Sequence, residues 1–232
     1  MTMRWALRLG AFALLGIWML TWALDAPHRP ILAERDAIFQ ATVHVSGMAC
    51  DRFSEGHGFA VEPELVLTNA HVVSGVDEIT VTTAAGGSAA GTLVGFDPSR
   101  DVAAILVSGL DLTPVKLAKK IAMPADAGDV VTFDQSNGIN FAPFSVKRRI
   151  WVSGRDIYGE LAQNRQVLEI QSVLVTGDSG AGLVNVDGEL WGMVFAVDLG
   201  QRKQGYALDV VEIFDFLTEV DSTPLPTQPC RL

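Results

Sequence analysis

From Ala37 onward, apolar and polar positions alternate in short runs. Phe39 to Val45, Gly58 to Val61, Leu65 to Thr68, Glu78 to Thr82, Gly91 to Phe96 and Val102 to Val107 each read as a strand. They are separated by turn formers such as Glu62-Pro63-Glu64 and Asp97-Pro98-Ser99. A polar stretch containing Pro and Gly, Lys116 to Gly128, interrupts this rhythm. It resumes with Val130 to Phe133, a long run around Phe141 to Val152, Gln166 to Gln171, Leu183 to Val186, Leu190 to Val197 and Tyr206 to Val210. Asp187-Gly188 between two of these runs is a two-residue hairpin signal. Six short strands on each side of a break predict an all-β chain of two similar six-stranded antiparallel barrels rather than a parallel α/β sheet. In Val210 to Val220 the period changes. Val211, Ile213, Phe214, Phe216 and Leu217 recur at three- and four-residue spacings, which predicts a closing amphipathic helix.

The first residues follow neither pattern. Leu9 to Leu24 carries no charge, and the run extended back to Trp5 reaches about 20 residues, enough at ~1.5 Å each to cross a ~30 Å hydrocarbon layer as a helix. A cleaved signal peptide is the competing reading, but acids, Leu24 and Pro27 stand where small residues should precede a cut near Ala23 to Ala26. An uncleaved transmembrane anchor is favoured. Arg4 and Arg8 lie before the span and Asp25 after it, so the domain is expected outside the cytosol, on the periplasmic or cell-wall side of the membrane. The predicted organisation is an anchor over 1–24 and a linker over 25–36 carrying Pro27 and Pro30. The domain follows over 37–232, with barrel 1 about 37–118, barrel 2 about 128–210 and the helix and tail 211–232. The short stretch after Val220 leaves no room for a PDZ-type regulatory domain, so none is expected.

The net charge of −10 argues against nucleic acid as a partner, and an acidic surface of this kind serves solubility. Cys50 and Cys230 are the two cysteines of the chain. An even number on the exported side of a membrane points to a disulfide, while the sequence by itself also allows two free buried thiols. There is no glycine-rich phosphate loop and no metal-ligand cluster, so no cofactor is expected.

Chemistry concentrates in three segments. Thr176-Gly177-Asp178-Ser179-Gly180-Ala181-Gly182-Leu183 places a serine among glycines on a tight turn between β-like runs. Glycine there permits positive φ and close backbone approach, so amide N–H groups can converge beside the hydroxyl as an oxyanion hole. A lone Gly-Asp-Ser-Gly is equally an ordinary turn, so the serine also needs a base. Leu67-Thr68-Asn69-Ala70-His71-Val72-Val73 supplies a histidine just beyond a strand. Asp101, opening the run Val102 to Val107, supplies an acid that can hold an imidazole tautomer and stabilise its charged form. Asp97 competes for that role, but Pro98 after it suits a surface turn.

Together, Thr-x-Ala-His-Val-Val, the Asp-x-Ala strand and Gly-Asp-Ser-Gly resemble, in order and type, the chymotrypsin-like serine peptidases in their bacterial trypsin-like branch, from about Phe39 to Phe216. Gly154-Arg155-Asp156-Ile157-Tyr158-Gly159, Gly192-Met193-Val194-Phe195 and a cysteine near each end resemble more closely the actinobacterial membrane-anchored proteases of the acid-resistance type. The resemblance implies a double β-barrel with the site between its lobes, a serine endopeptidase acting on protein or peptide, and a role in envelope stress. It implies His71 as general base, Asp101 as its orienter, Ser179 as nucleophile, and the Gly177 and Ser179 amides as the oxyanion hole, with Asp178 holding the loop. It also implies a Cys50–Cys230 disulfide. Val173, six residues before the serine, and Phe195 are expected in the primary substrate pocket, where no carboxylate would greet a Lys or Arg, so an apolar or small residue should precede the cut.

Three positions depart from the family pattern. One span stands where several are usual, Ala181-Gly182 stands where Gly-Pro is common, and His57 stands where a small Ser is usual. His57 is expected to be an exposed strand residue. A chain of this fold that binds without catalysing is the rival reading; such chains usually lose His, Asp or Ser, and all three are kept here.

Overall fold

The computed structural model describes residues 32–134, 138–198, 200 and 203–231. The predicted anchor over 1–24 and the first part of the linker lie outside the described residues. Among the described residues no helix is long and apolar enough to cross a membrane.

Two barrels account for most of what is described. The first closes β1 (Thr42–Ala49), β2 (Arg52–Glu62), β3 (Leu65–Thr68), β4 (Ile79–Thr83), β5 (Ser88–Asp97) and β6 (Val102–Val107) in the order β1-β2-β3-β6-β5-β4. The second closes β7 (Ala127–Asp134), β8 (Gly138–Val152), β9 (Arg165–Gln171), β10 (Gly182–Asn185), β11 (Leu190–Val197) and β12 (Gln204–Asp209) as β7-β8-β9-β12-β11-β10. This is the same order shifted by six, and every pairing within the barrels is antiparallel. Closure leaves no free sheet edge, which lets strands as short as β3 and β10 persist.

Each barrel is filled by its own inward-facing residues. Val43, Val45, Val66, Val81 and Ile105 fill the first, and Phe144, Leu168, Ile170, Leu183 and Val194 the second. A third cluster joins the two, with Phe59, Leu65 and Leu67 of the first barrel packed with Val131, Leu190, Met193 and Leu208 of the second. The connection between barrels is pinned at both ends: Val115 N–H donates to Ala60 O (2.9 Å) and Ala118 N–H to Leu190 O (2.9 Å).

The closing helix, Val210–Leu217, is capped by Asp209, whose carboxylate accepts from Val211 N–H, and it buries Val210, Ile213 and Phe216. Two further helices lie among the described residues. One is a single turn at Ala70–Val73; the other, Leu32–Ala41, occupies the end of the predicted linker and the first positions of the predicted first strand. There Ile38 and Ala41, three residues apart, turn into the shared core, and Arg35 lies over the Phe141 ring at 4.6 Å.

The tail is tied back to the first barrel. Cys50 and Cys230 are disulfide-bonded, with Cα atoms 6.2 Å apart across 180 residues. Ser74 Oγ donates to Pro229 O (2.6 Å) and Gly75 N–H to Gln228 O (3.1 Å), so the C-terminal strand of backbone lies along the end of the His71 turn.

Candidate active site

β3 is buried along its whole length and delivers the chain to Asn69, after which Ala70–Val73 makes one helical turn. The buried Ala70, Val72 and Val73 anchor that turn, and the His71 ring faces Asp101 at the start of β6. Asp101 precedes β6 in the left-handed backbone region at φ 60°, a conformation uncommon for a non-glycine residue. Three hydrogen bonds hold it there. Its Oδ1 accepts from His71 N–H (2.9 Å), its carbonyl accepts from Asn69 Nδ2 (2.9 Å), and its Oδ2 lies 2.7 Å from His71 Nδ1. The Asp101 side chain is only 7 % exposed. A buried carboxylate on Nδ1 fixes that nitrogen as the protonated one and leaves Nε2 with a lone pair for a substrate-side proton.

Asp97, the competing acid, is occupied elsewhere. Its Oδ1 caps the turn through Ser99 N–H and Arg100 N–H, and its Oδ2 accepts from Arg100 Nη1 at 2.7 Å.

Ser179 comes from the second barrel, on the turn before β10. Its carbonyl accepts from His57 N–H of β2 (2.7 Å), which stitches the turn to the first barrel. Gly56 lies between the two turns: a Cβ there would lie 2.7 Å from Val72 and 2.9 Å from Ser179 O, so the His71 turn and the Ser179 turn meet over it. Gly180 has φ +84°, and a Cβ would fall 1.8 Å from His57 O, which leaves no alternative to glycine. Among the described residues no hydrogen bond joins Ser179 Oγ to the His71 ring; in ligand-free sites this contact is commonly long and shortens on substrate binding. Asp178 folds the loop on itself, its Oδ2 accepting from Val175 N–H (2.8 Å) and its N–H donating to Val175 O (3.2 Å). Burial pushes the Asp178 carboxyl above its usual range, against the Val175 N–H and His57.

Val173 and Phe195 are not brought into one cavity. Val173 is 65 % exposed and lines an opening of about 930 Å³ with His57, Phe133, Val175 and Gly177, whereas Phe195 packs against the shared core under the Arg165 guanidinium, 4.9 Å from its ring. Glu55, Asp134 and Asp178 also line that opening, which corrects the expectation of a carboxylate-free pocket at Val173. Glu55 is engaged with His44 and Asp178 with Val175 N–H.

Sequence reasoning missed three residues here. His57, expected to be exposed, is buried (8 % exposed), because β2 faces the second barrel at this point. Its Nδ1 lies 3.0 Å from Gly177 O and its Nε2 3.0 Å from Phe133 O. Arg165 reaches the Ser99 carbonyl and faces Asp101, Asp97 and Glu212, with burial pulling its basicity down. Asn69 braces Asp101. A histidine between two glycines in a strand was the signal available for the first; nothing local marks the other two.

The sequence matches the trypsin-like peptidase domain over residues 56–193. It is 36 % identical over 210 residues to serine protease Rv3671c of Mycobacterium tuberculosis, covering 88 % of this chain and 51 % of that protein. The chain thus spans about half the length of the curated relatives it matches. The crystal structure of the Rv3671c protease in its active form superposes with a TM-score of 0.79 at 30 % identity, over 89 % of this chain and 95 % of that one. The inactive form of the same protease gives 0.69 at 29 % identity, over 85 % of this chain and all of that one, 100 %.

Proposed function

This chain belongs to the trypsin-like peptidase family, and from that premise we propose that it is a serine endopeptidase working through an acyl-enzyme. Ser179 Oγ attacks the carbonyl carbon of the scissile bond as His71 Nε2 takes its proton, and the oxygen that gains charge is met by the Gly177 and Ser179 amides. Asp101 keeps Nδ1 protonated and stabilises the imidazolium. The C–N bond then breaks, with the Nε2 proton passing to the leaving amine. Water, deprotonated by His71, releases the acyl group and restores Ser179.

The observation that carries this reading is the His71–Asp101 pair, bonded through both carboxylate oxygens at 2.9 and 2.7 Å. Val173 is assigned to the pocket for the residue before the cut, with preference for an apolar or small side chain. The apolar character and exposure of Val173 support this. Leu9 to Leu24 tethers the domain to the membrane with the site outside the cytosol, where it takes part in the envelope stress response; the flanking charges support that orientation.

Labelling with a fluorophosphonate tests the chemistry. The full chain should be modified rapidly at Ser179 and Ser179→Ala not at all; an unlabelled, folded wild type would make this a binding module instead. A peptide-library digest tests the specificity, and robust cleavage after Arg with none after Leu, Phe, Val or Ala would refute the pocket assignment.

A further inference from the structure

The Thr176–Ser179 turn is poorly backed by packing. The 930 Å³ opening lies against it, and a methyl group placed on Gly177 would meet no atom within 4 Å. Hydrogen bonds must therefore set its shape. Asp178 supplies those internal to the loop. Among the described residues, two reach it from the first barrel, and both come from His57: the backbone N–H to Ser179 O (2.7 Å) and ring Nδ1 at Gly177 O (3.0 Å). The other ring nitrogen, 3.0 Å from Phe133 O, ties the same side chain to β7.

We propose that His57 is a positioning residue for the oxyanion hole, its ring clamping the Gly177 carbonyl to the Phe133 carbonyl and so fixing the Gly177–Asp178 peptide beside the two amides. This rests on the assignment of the Gly177 and Ser179 amides made above. Both ring partners are carbonyl oxygens, which only accept. A neutral imidazole has one N–H and can serve one of them, whereas an imidazolium serves both. The clamp is therefore single or double according to the proton count of the ring.

The charged and titratable groups around His57 come from each neighbouring element. Asp178 faces it from the turn, His44 of β1 stands edge-on at 6.4 Å between ring centroids with its Nε2 on Glu55 of β2, and Asp134 at the end of β7 lines the same opening. Burial is the largest influence and brings the ring below its ordinary value of 6.5, against the pull of the Phe133 carbonyl, Asp178 and the Gly177 carbonyl. At neutral pH the clamp is single, and acid adds the second bond.

Asparagine and glutamine separate the two bonds, because the Asn amide falls near the Nδ1 position and the Gln amide near Nε2. Turnover of a chromogenic peptide by the full chain should fall about 10²-fold in kcat for His57→Gln, the cost of a misplaced catalytic group, with KM unchanged. His57→Asn should keep most of the neutral-pH kcat. The ratio of wild-type to His57→Asn kcat should rise as pH falls, since the imidazole can gain a second N–H and the Asn amide cannot. Equal kcat for the two variants, or a ratio flat with pH, would overturn the role of His57. Turnover surviving in Ser179→Ala would instead overturn the site assignment beneath it.

Discussion

On the first barrel, the Asp101 carboxylate takes two bonds from His71, its carbonyl takes a third from Asn69, and the whole group sits at the mouth of a strand buried on both faces. On the second barrel, the Val173–Ser179 loop leaves Val173 and Val175 65 % and 61 % exposed and borders open space. One half of the site is held by the core; the other is held by a handful of hydrogen bonds, two of which cross between barrels from His57. Peptidase chemistry needs both halves in register, so the second half is where small changes should alter rate without altering fold.

The largest effects should come from the reacting groups. Ser179→Ala and His71→Ala should each lower kcat by about 10⁶-fold, with the double variant little worse, because either loss leaves only the hole and binding. Asp101→Asn should cost about 10⁴-fold, since an amide cannot stabilise the imidazolium and permits the wrong tautomer. Asp97→Asn is the matched control, expected within about tenfold of wild type because that carboxylate holds a turn and Arg100, not His71. A silent Asp97→Asn beside an active Asp101→Asn would reverse the assignment of the two acids.

Next in size is the loop itself. Asp178→Ala removes the acceptor for Val175 N–H without touching a reacting atom, and kcat should fall about 10²-fold with the melting temperature close to that of wild type. Asp178→Asn keeps an acceptor oxygen and should recover most of that loss. If Asp178→Ala unfolded the domain while leaving the rate of the folded fraction intact, the contrast between a core-held and a bond-held half would fail.

The same contrast explains what could be read in the residues beforehand. β3, β6 and β11 begin and end where the apolar runs begin and end, because β3 is buried throughout, β6 and β11 over most of their length, and all three are bounded by turn formers. His71 and Asp101 were legible for the same reason, lying at the ends of those strands. Leu32–Ala41 was not, since its core contacts at Ile38 and Ala41 give a short pattern and its last turn runs into the β1 pattern. The inward face of His57 is set by the approach of the second barrel, a contact between residues 76 and 120 positions apart that no local period encodes. Val173 stands at the mouth of an opening because loop conformation, not composition, decides where an apolar side chain points.

Reducing the disulfide bears on the better-held half. The bridge closes a 180-residue span and ties the tail to Ser74 and Gly75, beside the His71 turn. The chain-entropy account predicts a loss of about 4–5 kcal/mol in unfolding free energy, measurable by denaturant titration with and without reductant. Activity of the protein still folded should change much less than in Asp178→Ala.

The smallest expected effect is a pH dependence of stability, and its two sources have opposite signs. Burial holds His57 below 6.5, so across the window from its folded value up to 6.5 the unfolded chain binds the proton better; stability is present above that window and is lost as pH falls through it. Burial raises Asp178 above 3.8, so in the window from 3.8 up to its folded value the native state binds the proton better; that contribution is present below 3.8 and is lost as pH rises through the folded value. Melting temperature followed from pH 7 downward should therefore decline below about 6.5 in the wild type, and the decline should be weaker in His57→Asn, whose amide does not titrate. Asp178→Asn should leave the His57 limb in place and remove the acid one. The difference curve between wild type and His57→Asn isolates the ring from every other titrating group. A difference that is constant across the range would mean that the ring keeps an ordinary pKa despite its burial between the two barrels.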